Sequence, residues 1–430
     1  MKTSLGDIVG STLFRLILPL AALSCGGQVF AVDQNALGVN PYDYVVFTPS
    51  MPLRYEDCDP IELGDRYNCH FQVIYDANRK TYFAFWTQAT KEAEKDMHIA
   101  FSKSTDLKAG WTKPIVLGGS ERRSAPRPTA CWQQPMLSAK GRLYCLWNQQ
   151  LGTNRCHFGV MRGRYSDDAG EHWSEPADAV WPTNVLRNAK MTASQPPNWC
   201  IWQRPLRLGP GGSYFAGVTH HSSCVGFISY TNVDDNPEIA DLGFKFYHAT
   251  PGTYLTAPKG LRSRCCEEAG VVKLPDGRLF AMLRSRGGYP LWTQSRDGGC
   301  TWAAPQLLKK PNGEKFLHCC SPCPIYDWKG CEAGSGTYFA LIHNTYDFTR
   351  KDKIPGSQPR GPLYLIAGTF DPAGEQPVRF DEPKLFAPRK NGNAFYTSYT
   401  VDENGVGILW FCDMKRWLLG RKIGGEWFRQ

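Results

Sequence analysis

The stretch SRDGGCTW, residues 295–302, places an acid, two glycines and a tryptophan at fixed offsets. The same frame, S-x-D-x-G-x-x-W, recurs as SDDAGEHW at 166–173, and STDLKAGW at 104–111 keeps its serine, aspartate and tryptophan. The interval between the last two copies is close to twice the interval between the first two. Recurrence at such a period predicts a repeat architecture.

Each of these residue types has a physical task in a turn. The carboxylate of Asp297 can accept the backbone N–H groups that follow it. Gly299 can adopt a positive φ that a larger residue would resist. Trp302 begins the next strand, where its ring can pack between neighbouring sheets. The stretch therefore predicts a turn that fastens strands together, and we interpret it as scaffold rather than as a site.

A second, independent pattern is a series of paired apolar runs of strand length, each pair broken by a polar or glycine-bearing turn. Six such hairpins begin at intervals of 53 to 75 residues, at His70, Gln134, Arg204, Glu268, Ser321 and Tyr396. They predict an all-β fold, a six-bladed β-propeller with seven blades as the alternative, whose radial closure protects the sheet edges. The strand YDYVVF, residues 42–47, is expected to pair with the C-terminal strands and close the ring.

The N-terminus and the cysteines indicate an exported protein. Residues 1–31 combine Lys2 with an apolar run and small residues before position 31, which is typical of a signal peptide. We therefore expect a secreted or periplasmic protein in which residues 32–430 form one propeller domain, without a stable membrane anchor. The 16 cysteines of the chain favour disulfides in that compartment. HCCSPC, residues 318–323, is expected to form disulfides rather than a metal site, because no second ligand pair follows at finger-like spacing.

The net charge of the chain limits which class of binding partner is expected. The formal net charge is +9, without a concentrated basic run of the kind that nucleic-acid-binding arms show. This balance predicts an acidic glycan or polysaccharide as substrate and no nucleic-acid partner.

Candidate functional residues come from the hairpin starts and ends, because the innermost strand of each blade faces the propeller axis. These positions hold mostly polar or cationic side chains: His70, Gln88, Gln134, Gln149, Arg204, His220, Glu268, Arg284, Ser321, His343 and Tyr396. They predict a polar, partly cationic funnel. Within it, Arg204, Gln134, Gln149 and His220 are expected to bind substrate.

The repeated turns resemble the Asp boxes of the sialidase-like (Asp-box or BNR-repeat) propeller superfamily, over most of the chain. EEAGVVKLPDGRLFAMLRS is similar to the segment in which a glutamate opens one strand and an arginine closes the next, here Glu268 and Arg284. QPRGPLYL resembles a strand with a further arginine, here Arg360. FYTSYTVDENGVGILW resembles the stretch with the nucleophilic tyrosine, here Tyr396, and EAEKDMHIAFSKSTD the segment with the acid, here Asp96.

The resemblance implies an exo-glycosidase that hydrolyses a bond of a carboxylated sugar, such as sialic acid. In it Tyr396 is the nucleophile, Glu268 its base, and Asp96 the acid/base. A neutral phenol avoids the repulsion that a carboxylate nucleophile would meet at the carboxylated anomeric carbon. Arg284 and Arg360 would hold the substrate carboxylate through charge-assisted hydrogen bonds. Neither a metal nor a cofactor is implied.

The sequence departs from the family at the start of the first blade. YNCHFQV stands where an arginine-bearing Tyr-Arg-Ile-Pro-like stretch is expected, and His70 takes the position of that arginine, where it is expected to line the active site. This departure keeps two other functions open. One is a polysaccharide lyase or rhamnose-releasing enzyme acting on uronate-containing glycans, with His70, His220, Tyr396 and Arg204 as its candidate groups. The other is a propeller that binds glycan or protein without catalysis.

Overall fold

The computed structural model describes residues 39–50, 64–119, 129–151, 158–182, 184–187, 195–209, 211–220, 223–349, 360–389 and 394–428. The expected signal peptide, residues 1–31, lies outside these ranges. Within them the chain is built from strands and short 3-10 turns, at Val233–Asp235, Ile239–Asp241 and Gly425–Trp427. No helix in the described ranges is long and apolar enough to cross a membrane.

The strands, in chain order, are β1 (Tyr44–Phe47), β2 (Tyr67–Asp76), β3 (Thr81–Ala89), β4 (His98–Ser104), β5 (Ile115–Gly119), β6 (Ala130–Leu137), β7 (Leu143–Gln150), β8 (Gly159–Ser166), β9 (Ala177–Asp178), β10 (Trp199–Cys200), β11 (Leu206–Arg207), β12 (Tyr214–His220), β13 (Cys224–Tyr230), β14 (Phe244–Tyr247), β15 (Cys266–Lys273), β16 (Leu279–Ser285), β17 (Leu291–Ser295), β18 (Gln306–Leu307), β19 (Ile325–Asp327), β20 (Thr337–Ile342), β21 (Leu363–Phe370), β22 (Val378–Phe380), β23 (Lys384–Ala387), β24 (Thr397–Val401), β25 (Gly407–Asp413) and β26 (Trp417–Lys422).

These strands form six antiparallel sheets, and each sheet is one propeller blade. Blade 1 is β2–β5, blade 2 is β6–β9, blade 3 is β10–β14, blade 4 is β15–β18, and blade 5 is β19–β23. Blade 6 consists of β24, β25, β26 and the N-terminal strand β1. The six-bladed prediction is confirmed, and so is the closure of the ring, because Tyr44 of β1 lies opposite Gly420 of β26. That pairing covers a sheet edge that would otherwise be open.

The Asp-box turns join the third and fourth strands of blades and fasten neighbouring blades. The Oδ1 atom of Asp297 accepts the backbone N–H of Thr301 at 2.9 Å, and Gly299 has a φ of 97°. The ring of Trp302 stacks on Phe227 of blade 3, with ring centroids 4.0 Å apart. The hydrogen-bonded turn and the stacked ring of Trp302 thus hold blade 4 against blade 3, which is the scaffold role expected from the sequence.

The expected disulfides are not confirmed. Thirteen cysteines lie in the described ranges, and no two of them are joined there, including those of HCCSPC. Cys69, Cys131 and Cys200 occupy equivalent positions on the innermost strands of blades 1, 2 and 3, where they are 0%, 0% and 6% exposed. Buried thiols at a repeated position pack as small apolar side chains, which accounts for part of the high cysteine count. No group of histidines, cysteines or carboxylates in the described ranges is arranged to hold a metal.

Candidate active site

Three innermost strands are bulged at the same register, and each bulge holds a non-glycine residue with left-handed backbone. These residues are His70 (φ 55°), Trp132 (φ 57°) and Glu268 (φ 48°). This conformation costs an L-residue about 1–2 kcal/mol. Hydroxyls of the preceding blade support two of the bulges, because Thr87 Oγ1 accepts the N–H of Trp132 and Thr219 Oγ1 that of Glu268. Repeated backbone strain of this kind marks this end of the axis as a candidate site.

The centre of the site is a contact between Tyr396, Glu268 and Arg284. The hydroxyl of Tyr396 donates to Glu268 Oε1 at 3.2 Å, and Arg284 Nη1 lies 2.7 Å from Glu268 Oε2. All three residues are buried, with 6% to 9% of their surface exposed. Burial, and after it the charge of Glu268, raises the pKa of Tyr396 well above its usual value. The phenol therefore keeps its proton at rest, with a carboxylate in position to take it.

A second carboxylate completes a charge-balanced cluster around Arg284. Glu267 Oε2 lies 3.5 Å from Arg284 Nε, and its Oε1 lies 2.7 Å from Arg286 Nη2. Burial raises the pKa of Glu267, but the two guanidinium groups outweigh it and lower that pKa overall. Arg284 also donates to the sulfur of Cys320 at 3.1 Å. Both terminal nitrogens of Arg284 are engaged by protein groups, and its Nε has no hydrogen-bond partner within the described residues, so Arg284 mainly positions Glu268.

Arg360 is a further cation beside Tyr396. Its guanidinium lies over the ring of Phe395, 4.9 Å from the centroid, and that ring is 4.8 Å from Tyr396. The Nε atom of Arg360 has no hydrogen-bond partner within the described residues. Arg360 thus lies beside the nucleophile candidate, and its Nε donor is unpaired within the described residues.

His70 lies against Tyr396 but is oriented by a tryptophan. The rings of His70 and Tyr396 meet edge to face with centroids 4.7 Å apart. The indole Nε1 of Trp132 is 3.1 Å from His70 Nε2. Because an indole N–H can only donate, this contact assigns the proton of neutral His70 to Nδ1. The lone pair of Nε2 is therefore already used.

Asp96 is placed outside this cluster. Its carboxylate is 0% exposed and accepts hydrogen bonds from the N–H of Gly64 and from the N–H and hydroxyl of Thr90. These contacts close the loop between β3 and β4. A carboxylate held in this way braces the loop and has no contact with Tyr396 or Glu268 among the described residues.

The two glutamines expected to bind substrate are engaged in the wall of the propeller. Gln134 accepts the hydroxyl of Tyr230 and donates to the backbone carbonyl of Trp132. Gln149 accepts the indole N–H of Trp147 at 2.9 Å. Both side chains are almost fully buried, at 0% and 4% exposure, so in this structure they brace the blades.

Arg204 lies away from Tyr396 as well, and His220 packs against the loop that follows β14. His220 stacks on Tyr254, with ring centroids 5.0 Å apart. Arg204 follows β10 and points towards the other end of the axis, where its Nη1 donates to the carbonyl of Val73 at 2.9 Å. The structure thus brings together Tyr396, Glu268, Arg284, Arg360 and His70, and leaves the remaining predicted site residues outside that group.

Some residues at the site were missed by the sequence reasoning. Trp132 holds the same position in its hairpin as His70 in the first one, so aligning the hairpins with one another would have found it. Trp202 packs on Tyr396 with ring centroids 5.8 Å apart, and Glu267 carries the second negative charge. The sequence singled out Cys320 only as part of HCCSPC, a disulfide candidate, whereas its contact with Arg284 comes from tertiary packing.

Six blades, three of them with Asp-box turns, around a buried tyrosine, glutamate and arginine define a sialidase-like β-propeller. Residues 80–408, which are more than half of the chain, match the family described as BNR repeat-like domain, and the chain belongs to that family. No curated protein sequence matches it.

Several solved structures share the fold at low sequence identity. The NanB sialidase from Streptococcus pneumoniae superposes with a TM-score of 0.62 at 11% identity, over 91% of this chain and 72% of that one. The intramolecular trans-sialidase from Ruminococcus gnavus gives a TM-score of 0.59 at 13% identity, over 85% and 96% of the two chains. A protein of unknown function from Dyadobacter fermentans gives 0.55 at 14% identity, over 89% and 97%. At such identities the likeness establishes the fold.

Proposed function

We propose that the chain is an exo-glycosidase that hydrolyses the glycosidic bond of a carboxylated sugar, with Tyr396 as nucleophile and Glu268 as its base. The observation that carries the proposal is the buried 3.2 Å contact between the Tyr396 hydroxyl and Glu268 Oε1. A phenol whose pKa is raised by burial does not ionise unaided, so it needs a base in contact. Glu268 is that base.

The charges around the pair suit the reaction. As the phenolic oxygen bonds to the anomeric carbon, its proton passes to Glu268 and the glycosidic oxygen leaves with the bonding electrons. Arg284 and Arg360 lower the pKa of Tyr396 against the larger effects of burial and Glu268, so both favour the negative charge that develops on its oxygen. Water then releases the sugar from the tyrosine. The assignment of Asp96 as the acid for the leaving oxygen stays a prediction from the family resemblance.

Arg360 is the proposed partner of the substrate carboxylate. It stands beside Tyr396, and its Nε lacks a hydrogen-bond partner within the described residues. A planar guanidinium can bind a carboxylate through two parallel hydrogen bonds. His70, in the place of the family's arginine, would line the site as a neutral ring. An acidic glycan as substrate also agrees with the net charge of +9.

The geometry favours the glycosidase over the lyase. A lyase would need a base that is free to remove a proton beside a uronate carboxylate, yet Nε2 of His70 accepts the indole N–H of Trp132. The hydroxyl of Tyr396 is hydrogen-bonded to Glu268, while His70 meets Tyr396 through a ring contact, and Arg204 lies outside this group. The strained bulges also speak against a propeller that only binds, because a binding surface has less need of residues held in costly backbone conformations.

The proposed setting is outside the cytoplasm, since residues 1–31 have the pattern of a signal peptide. N-terminal sequencing of the protein produced in an exporting host tests this. A mature N-terminus at residue 32 is expected, whereas a retained leader would contradict it.

The experiment that tests the activity is incubation of the purified protein with a fluorogenic sialoside and, separately, with uronate-rich polysaccharides. We expect release of the fluorophore and a loss of at least about a hundredfold in kcat/KM for Tyr396→Phe and for Glu268→Gln. Tyr399→Phe is the matched control, because Tyr399 lies on β24, three residues after Tyr396, with its hydroxyl bonded to the carbonyl of Trp328. Its rate should stay within a few-fold of the parent.

Two other outcomes would replace the proposal. Ultraviolet absorbance from an unsaturated uronate, without fluorophore release, would make the protein a lyase. No turnover of either substrate type, with glycan binding retained, would make it a binding propeller.

A further inference from the structure

A cavity of about 410 Å³ opens at the end of the axis opposite to Tyr396. All six blades line it with the ends of their innermost strands and the turns that follow. Its wall includes Tyr75, Met136, Arg204, Lys273, Asp327 and Thr400. Because the innermost strands begin beside Tyr396 and end here, the cavity is a chamber separate from the candidate active site.

A buried layer divides the two ends of the axis. Trp202, which packs on Tyr396, accepts the side-chain N–H of Gln72 on its backbone carbonyl at 2.6 Å. The Oε1 atom of Gln72 accepts in turn the backbone N–H of Arg204 at 2.9 Å. Gln72 and Trp202 are 0% and 1% exposed. The layer leaves Tyr396 on one side and the guanidinium of Arg204 on the other.

Arg204 is a cation without a counter-charge. Its guanidinium has one protein contact, the donation from Nη1 to the carbonyl of Val73, and no carboxylate of the described residues forms an ion pair with it. Burial lowers the pKa of Arg204, opposed only by Tyr214 and Tyr326. Arg204 is half-buried on the wall of the open chamber, and a guanidinium placed there without a protein counter-charge is a binding point for an anion.

The carboxylates on the cavity wall are bound to other groups. Asp76 pairs with Arg79 at 2.7 Å, and Glu332 with Arg207 at 3.4 Å. Asp327 accepts backbone N–H groups of the turn that follows β19. No wall carboxylate is therefore left to neutralise Arg204, and an anion from solution can take that place.

We propose that this cavity binds a small hydroxylated carboxylate of sugar-acid size, with the carboxylate paired to Arg204. The volume is in the range of small-molecule sites. A guanidinium pairs a carboxylate bidentately, while half-buried Tyr75 provides an apolar face and the exposed amide of Asn78 can hydrogen-bond the hydroxyls of the ligand. The proposal needs no chemistry at Tyr396, so it stands or fails separately from the proposed function.

The test is a titration by calorimetry with N-acetylneuraminate, with glucuronate and with neutral glucose. To silence the other end of the axis, where Arg360 is the proposed carboxylate partner, the titration is repeated with Arg360→Gln. We expect the acids to bind Arg360→Gln, glucose not to bind, and Arg204→Gln, made in the Arg360→Gln background, to lose at least about thirtyfold in affinity. Arg162→Gln is the matched control, since Arg162 pairs with Asp178 on the exposed face of blade 2 and does not line the cavity.

A second variant guards against a folding defect in Arg204→Gln. Ala139 is an exposed turn residue at the mouth of the cavity, so Ala139→Trp fills the entrance without disturbing the core. It should weaken acid binding while its thermal unfolding stays close to that of the parent. Acid binding that resists both Arg204→Gln and Ala139→Trp would overturn the proposal. So would binding lost in Arg360→Gln, or no binding of either acid to the parent.

Discussion

Acid should destabilise this propeller through two buried histidines, His318 and His343. Their rings stack with centroids 5.5 Å apart, and both residues are almost inaccessible, at 1% and 0% exposure. The backbone N–H of His343 donates to Nδ1 of His318, whose Nε2 is 2.8 Å from the carbonyl of Ser321. Nδ1 of His343 is 3.0 Å from the carbonyl of Pro362. Each ring therefore has one donating nitrogen and is held neutral.

The magnitude follows from the pKa values of the two rings. Burial lowers the pKa of His318 to about 4 and, with the charge of His318, that of His343 to about 3. In the unfolded chain both rings titrate near about 6.5. Below that pH the unfolded state therefore binds protons that the folded state does not bind. The contribution of the two neutral rings to the free energy of unfolding is thus fully present above that pH, and it is lost as the pH decreases towards 4. At pH 5 each ring contributes a loss of about 2 kcal/mol, and the pair about 4 kcal/mol, against a typical total of about 5–15 kcal/mol.

The assay is urea unfolding at a series of pH values from 8 to 5. His343→Phe removes one of the two titrating rings, so the difference in stability between those pH values should shrink by about 2 kcal/mol. Its absolute stability is a separate matter, because the contact with Pro362 is lost. The control is His248→Asn, at a half-buried position whose φ of 51° suits asparagine. An unchanged pH dependence in His343→Phe, or equal stability of the parent at pH 8 and 5, would refute the reasoning.

Two further predictions concern the scaffold and the charge cluster. Gly299→Ala should destabilise the fold by about 1–3 kcal/mol more than Gly298→Ala, because an added Cβ at Gly299 would come within 2.5 Å of the Phe215 ring, whereas at Gly298 nothing lies within 4 Å. Chemical denaturation measures both, and equal losses would show that the contact between blades is not what requires this glycine. Glu267→Gln should cost about 3–5 kcal/mol at pH 7, since it leaves Arg286 without its buried carboxylate and Arg284 with one fewer. Asp178→Asn, at an exposed pair with Arg162, should cost less than about 1 kcal/mol in the same assay, and similar losses in the two variants would contradict the role of burial.

The architecture could be predicted from local sequence because each blade is made of hairpins close in the chain. Alternating apolar runs, turn residues and the Asp-box frame report on contacts within a few tens of residues, and the hairpins of all six blades appear where those patterns place them. Ring closure by β1 was predictable for a related reason, since a propeller needs a strand to cover its last blade.

The residues of the candidate site could be predicted only where a segment of the sequence resembles a family motif. Motif similarity pointed to Glu268, Arg284 and Tyr396, and the structure brings them together although Tyr396 and Glu268 are 128 positions apart. The surroundings of Asp96 could not be predicted, because the hydrogen bonds from Gly64 and Thr90 that occupy it depend on how two loops fold together.

The sequence by itself determined the repeat, the turn chemistry and the residue types that face the axis, because these follow from spacing and conformational preference along the chain. Only the tertiary structure decided at which end of the propeller axis each of these side chains lies. Arg204 and Glu268 both begin predicted hairpins, yet Glu268 lies in a bulge beside Tyr396, whereas Arg204 follows β10 and is separated from Tyr396 by the Gln72–Trp202 layer. That difference arises from packing between blades, which no local pattern encodes.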